Sequence, residues 1–310
     1  MNDNKTMTRS QQWLQRWAWT TLALFVVVVL QGAVVRATSS GAGCGSHWPL
    51  CNGQILPQFQ RVATIIEFTH RSLTGISSTM FFVLAGWVFY AKPKGHPARK
   101  AALWSLFFLI LEALLGAALV LKGWVENNTS TARILAQSIH FTNTMLLLAT
   151  TTAVAVLVGN VKPAKQNKPL QNASLLTMAT VLLAGAAGSI AALADTIFPS
   201  TSLRQAIAAD FAASSPVLIR MRWMHPASTL LILAATIWLV SLLYRNNAAK
   251  AANLLLLNLL LQMAVGFADV LTLAPTSIQV LHLLGADLFW ISLTAIAVPL
   301  FIRQDEEQSA

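Results

Sequence analysis

Charge is what this sequence has least of. Only 10% of its 310 residues are Asp, Glu, Lys or Arg, against about 25% in a soluble globular domain. Acidic residues are the scarcer sign, 11 against 21 basic, leaving a formal charge of +10. So few charges, with 55% hydrophobic residues and a mean hydropathy of +0.61, exclude an ordinary soluble enzyme. They also exclude a disordered chain, which is poor in apolar residues. Cysteine is almost missing. Two residues permit at most one bridge and are too few for a disulfide scaffold or a four-cysteine metal site. A surplus of positive charge in a soluble protein would point to nucleic acid, so here it is first weighed against membrane topology.

Long apolar runs are what is present. A membrane-crossing helix needs about 20 mostly apolar residues, and eight runs qualify, near 17–35, 65–90, 101–121, 134–158, 173–194, 223–243, 251–271 and 278–302. None alternates with period two as a membrane barrel does, and backbone groups in lipid must satisfy one another. The expectation is an all-α membrane protein of eight transmembrane helices. With the N-terminus placed in the cytoplasm, 13 of the 21 basic residues, from Lys5 and Arg9 to Lys165 and Arg303, fall on the inner tails and short loops. The longer outer loops carry seven, and Arg71 lies within a span. The positive-inside rule therefore puts both termini in the cytoplasm. The net charge becomes a topology signal, and nucleic acid drops out as a partner in favour of the lipid bilayer. The apolar stretch from Ala18 to Val35 exceeds a signal-peptide core and is read as an uncleaved first helix. The lack of a long Arg- and Ser-rich leader points to a bacterial plasma membrane.

The outer loops run long, short, long, short, and small-residue clusters recur in step. Gln31-Gly32-Ala33 is echoed by Ala184-Gly185-Ala186-Ala187-Gly188, and Leu115-Gly116-Ala117-Ala118 by Val265-Gly266-Phe267-Ala268. Each cluster alone is explained by close helix packing. Their paired order implies two pseudo-repeated four-helix bundles, 1–160 and 161–310. Four of the six histidines, His70, His140, His225 and His282, fall one each on the second, fourth, sixth and eighth spans. All lie within about two turns of the outer end, roughly 3–10 Å deep at 1.5 Å per residue. Ionisable residues inside spans mark function by default, and imidazole is a common haem ligand. Two histidines per bundle at one depth match two bis-histidine haem sites. The plainer alternative is four hydrogen-bonded interfacial histidines, and a single tetra-histidine metal site fits less well.

The first outer loop holds both cysteines, Cys44 and Cys51, around His47 and Trp48. On an oxidising face a small-loop disulfide is feasible, two free thiols are the alternative, and Cys44, His47 and Cys51 are not a standard zinc set. Beyond it comes Glu67-Phe-Thr-His70-Arg71. Glu67 and His70 share a helical face, and Glu67 precedes Arg71 in the favourable ion-pair order. A carboxylate beside a metal ligand can move protons; the alternative is an ion pair decorating the start of the helix. Arg71 could instead hold a haem propionate, as could Arg220 and Arg222. Glu112 sits mid-span, where a bare charge is costly, and Asp269 and Asp287 are expected near the interface.

The strings Gly32-Ala-Val-Val-Arg36-Ala-Thr-Ser-Ser-Gly41, Cys44 to Cys51 with Trp48-Pro49 between, Glu67-Phe-Thr-His70-Arg71, Leu114-Leu-Gly116 before His140, and Pro275 before Leu281-His282 and Trp290 together resemble the haem A synthase family. The resemblance covers essentially the whole chain. It implies oxidation of the C8 methyl of haem O to a formyl group by successive hydroxylations and loss of water. It implies that His70 and His140 bound the haem O/haem A site, that His225 and His282 ligate haem b, and that Glu67 matches the family's catalytic glutamate. Cys44 and Cys51 match an outer-loop cysteine pair. Haem O synthase is implied as a possible partner, and the electron acceptor is left open. The chain departs from the pattern at Gly45-Ser46-His47 before Trp48, in a 195–222 loop without cysteines, at Pro226 after His225, and at Glu112, where glutamine is expected. The competing reading is a di-haem b membrane cytochrome for quinol-linked electron transfer. A repeat-built transporter ranks last, because no pair of broken helices is apparent.

Overall fold

The computed structural model describes residues 7–164 and 166–302. Among these, secondary structure is helical throughout, apart from an isolated bridge between Cys51 and Gln54. The helices are α1 (Arg9–Ala37), α2 (Val62–Ala91), α3 (Pro97–Leu121), α4 (Thr131–Leu157), α5 (Lys168–Ile197), α6 (Leu203–Phe211), α7 (Val217–Arg220), α8 (Met224–Arg245), α9 (Ala249–Leu271) and α10 (Thr276–Ala297). A 3₁₀ turn, Val298–Phe301, follows α10. Eight helices are long and apolar enough to cross a membrane, with α7 and α8 following each other in one crossing, Val217–Arg245. Lys5, Lys165 and Arg303 of the charge pattern lie outside the described residues.

Several helices begin earlier than the apolar runs predict, because polar caps extend them. Thr8 and Gln11 form a capping box before α1. Ser130 accepts from the Arg133 amide before α4, and Asn167 from the Leu170 amide before α5. Each cap satisfies amides that the helix start leaves unpaired, and hydropathy does not register them. The 195–222 stretch, expected as a loop, contains α6, capped by Ser202, and α7.

In the packing, α1, α2, α3 and α4 close into a ring, and α5, α8, α9 and α10 close into another. The rings meet where α1 and α4 face α5 and α10. Helix α4 has the most buried span, which suits its place at that seam, and α9 the least. The indole of Trp290, wholly buried on α10, donates to the Met145 carbonyl of α4 at 2.7 Å and ties the rings together. Outward faces carry exposed apolar side chains, among them Phe107 of α3 and Leu257 and Phe267 of α9, as hydrocarbon contact requires. The even-numbered crossings α2, α4, α8 and α10 all start at the end of the molecule where residues 38–61 lie. That shared polarity puts the four span histidines at one end.

Candidate functional site

Residues 38–61 form a lid over the first ring. The lid touches α2 so closely that a Cβ at Gly43 would sit 2.3 Å from the Ala63 carbonyl carbon and oxygen. The Thr64 hydroxyl donates to the Gly43 carbonyl at 2.7 Å. Cys44 and Cys51 are joined in a disulfide, with both residues buried. The Cys44 amide donates to Glu67 Oε2 at 2.7 Å. Glu67 Oε1 accepts from Arg71 Nε and Nη2, at 3.1 and 2.5 Å. Arg71 Nη1 in turn donates to the carbonyls of His47 and Leu50, both at 2.7 Å. Glu67, only 3% exposed, is thus the joint between lid and helix. Of the five N–H groups on a guanidinium, Arg71 has four engaged, leaving one on Nη2. The imidazole of His47 is exposed on the lid, where only its carbonyl takes part in this network.

The four span histidines are half-buried, and each faces a glycine on the neighbouring helix. A Cβ added at Gly32 of α1 would come 3.1 Å from the His70 ring. At Gly116 of α3 it would come 4.0 Å from His140, at Gly188 of α5 2.9 Å from His225, and at Gly266 of α9 2.7 Å from His282. The residue one turn before each glycine also reaches its histidine. The Val28 carbonyl lies against His70, and the Ala184 carbonyl is 3.0 Å from His225 Nδ1. Glu112 Oε1 is 3.2 Å from His140 Nδ1, and Gln262 Nε2 is 3.3 Å from His282 Nε2. A single register therefore recurs four times, with a partner, then three residues, then glycine, on the helix opposite the histidine.

This arrangement suits haem. The Nδ1 atoms of His70, His140 and His282 are buried without an aligned hydrogen-bond partner, so protein contacts alone do not fix these rings. The glycines keep open space that a methyl would fill. The rings of His225 and His282 have centres 6.1 Å apart. His225 and His282 are thus close enough that this pair would be the one to hold a single haem iron. The Ala184 carbonyl, 3.0 Å from His225 Nδ1, orients that ring, as a hydrogen bond to the far nitrogen of a metal-binding histidine does.

Sequence reasoning located the histidines, the glutamate and the cysteines. It missed the glycine register, although it noticed the clusters containing it, because packing alone seemed to explain them. The match of glycine spacing to histidine spacing was the available signal. It named Arg36 in the resembling string but gave it no role; Arg36 Nη1 donates to the Ala192 carbonyl and the Thr196 hydroxyl, both at 2.6 Å, and Nη2 donates to Gln279 Oε1 at 2.8 Å. These contacts join α1 to α5 and α10. Of the arginines considered for propionates, Arg222 is committed to Asp195, Asp210 and the Ala206 carbonyl, while Arg220 is exposed. Asp287, expected near the interface, is instead wholly buried in α10. Its apolar sequence neighbourhood does not distinguish a residue facing the protein interior from one facing outward.

The sequence profile of the family described as cytochrome oxidase assembly protein matches residues 15–294. A protein of Thermus thermophilus named "Protoheme IX farnesyltransferase" is 36% identical over 290 residues, covering 92% of this chain and 48% of that protein. Proteins named "Heme A synthase" from Bacillus licheniformis and Geobacillus kaustophilus are each 40% identical, over 141 and 117 residues. Those matches cover 45% and 38% of this chain, and 43% and 36% of the two proteins. The chain thus spans about half the length, or less, of the curated relatives it matches.

Proposed function

Because the chain belongs to the cytochrome oxidase assembly protein family, we propose that it is a haem A synthase. It would oxidise the C8 methyl of haem O to a formyl group and yield haem A for cytochrome oxidase. The observation that carries this reading is the fourfold pairing of a span histidine with a facing glycine, two pairs in each helix ring. The relatives named for haem A synthesis support it. The di-haem b cytochrome draws no support from the relatives named above.

In this reading the two rings are functional halves. His70 and His140 hold the substrate haem O in residues 1–160, and His225 and His282 hold haem b in residues 161–310. Bound haem iron supplies the redox chemistry. The chain positions the haems and handles protons around them. Glu67 lies one helical turn from His70, and its Oε2 accepts from the Cys44 amide, which holds the carboxylate in place to take up or move a proton. The remaining N–H on Arg71 Nη2 is placed for a propionate. The disulfide-closed lid keeps bulk water from Glu67. The charge bias supports a plasma-membrane protein with both termini in the cytoplasm and the histidine end outside. The similarity to a longer protein named for farnesyl transfer to protoheme IX supports haem O synthase as the neighbour supplying substrate.

Haem extraction and pyridine haemochrome spectra of the purified protein test this reading. Haem b together with haem O or haem A is expected; purified protein without haem overturns it, and haem b alone with no oxidised product returns the di-haem cytochrome. Glu67→Ala is expected to retain haem and lose haem A formation. Undiminished haem A would remove Glu67 from catalysis.

A further inference from the structure

The two rings share one register but differ in the group presented to one histidine in each. One turn before Gly116, α3 presents Glu112 to His140. At the matching place one turn before Gly266, α9 presents Gln262 to His282. The surroundings differ in the same sense. Three and four residues after His140 stand Asn143 and Thr144, and both reach Glu112. Asn143 Nδ2 donates to Glu112 Oε2 at 2.6 Å and to the Phe108 carbonyl at 2.9 Å. The Thr144 hydroxyl sits between Glu112 Oε1 and the His140 carbonyl. Both hydrogens of the Asn143 amide thus go to oxygen acceptors, which settles which way that amide points. Three and four residues after His282 stand Gly285 and Ala286, which offer no side-chain donor. A Cβ at Gly285 would lie 2.2 Å from Gln262 Oε1, so this position makes room for the amide instead of holding it. Donors stand where the acid is and are missing where the amide is.

We propose that Glu112 is a positioning residue that acts on the N-terminal haem through His140, accepting the Nδ1 hydrogen and so making this imidazole the more basic ligand of the two rings. The inference rests on the haem reading above. The carboxylate is 3.2 Å from Nδ1, short of hydrogen-bond alignment, and its other contacts hold it in place. A hydrogen bond from a ligand imidazole to a carboxylate raises ligand basicity, and hydrogen bonding around an axial ligand is one of the levers on haem potential. A stronger donor ligand favours the oxidised iron. The two sites would thereby be set to different potentials, one for a haem that is chemically altered and one for a haem that passes electrons.

Spectroelectrochemical titration of the purified full chain tests the proposal. The N-terminal haem is identified as the one that His70→Ala removes and His282→Ala does not. In Glu112→Gln, the midpoint potential of that haem is expected to rise while the other stays in place, with both haems retained. In Thr144→Val, loss of a competing donor leaves Glu112 a stronger acceptor for His140, and the same potential is expected to fall. Opposite shifts confined to one haem are not what simple loosening of the pocket produces. The proposal is overturned if neither variant moves the potential, if both move it in one direction, or if both haems shift together. Should Glu112→Gln fail to accumulate, the sign of the Thr144→Val shift still decides. Wild-type protein without haem would overturn the functional reading itself, whereas two haems with unmoved potentials overturn only the role of Glu112.

Discussion

The glycines opposite the histidines are small in number and large in consequence. Gly266 leaves 2.7 Å, and Gly188 2.9 Å, between a new Cβ and a histidine ring. A methyl at either place must push the imidazole away, and overpacking a fitted site costs about 1–3 kcal/mol. Gly266→Ala and Gly188→Ala are expected to lower the haem content of the C-terminal ring. Gly86→Ala, which meets nothing within 4 Å, is the control. Absorbance per mole of purified protein measures both, and equal haem in all three variants would remove the glycine register from the account. Legibility differed sharply at this scale. His70 and Glu67 stood out because ionisable residues are rare in an apolar span. The partners of Glu67 did not, because Cys44 N–H and Arg71 converge on it only after the lid folds back over α2.

Helix boundaries were legible only in part, because caps and tertiary neighbours decide where apolar runs become helices. The start of α3 is an example. His96 occupies the N-cap, and its Nδ1 accepts from the Ala98 amide at 3.1 Å. That role requires a neutral ring. Burial, with Lys92 nearby, pushes the His96 imidazole down to about 4. In the unfolded chain it titrates near 6.5. Between those values the unfolded chain binds more protons, so stability rises with pH. The His96 contribution is fully present above about pH 6.5 and is lost as the pH falls through about 4. His96→Asn keeps a capping acceptor without a proton to gain. Its thermal midpoint in detergent is expected to depend less on pH across this range than that of the wild type. Parallel curves for the two proteins would show that His96 does not contribute.

Two helix rings form one molecule because polar contacts at the seam are as specific as those inside each ring. Arg36 supplies three hydrogen bonds across it, and hydrogen bonds to a charged group contribute about 1.5–3 kcal/mol each. Arg36→Ala is expected to lower the unfolding temperature of the purified protein clearly. Arg220→Ala, on an exposed side chain, is expected to change it little. Equal midpoints would mean that the seam rests on apolar packing and Trp290 alone. At this scale the sequence by itself determined eight crossings and the position of one histidine on every second crossing. These follow from hydropathy and from the scarcity of charge, which are additive along the chain. Only the tertiary structure decided what each histidine faces, that Glu67 is buried under a disulfide-closed lid, and that Glu112 meets His140 with Asn143 and Thr144 holding it. Those are convergences of side chains from different helices. Their energy depends on distance and direction in space, and no property of a single segment encodes them.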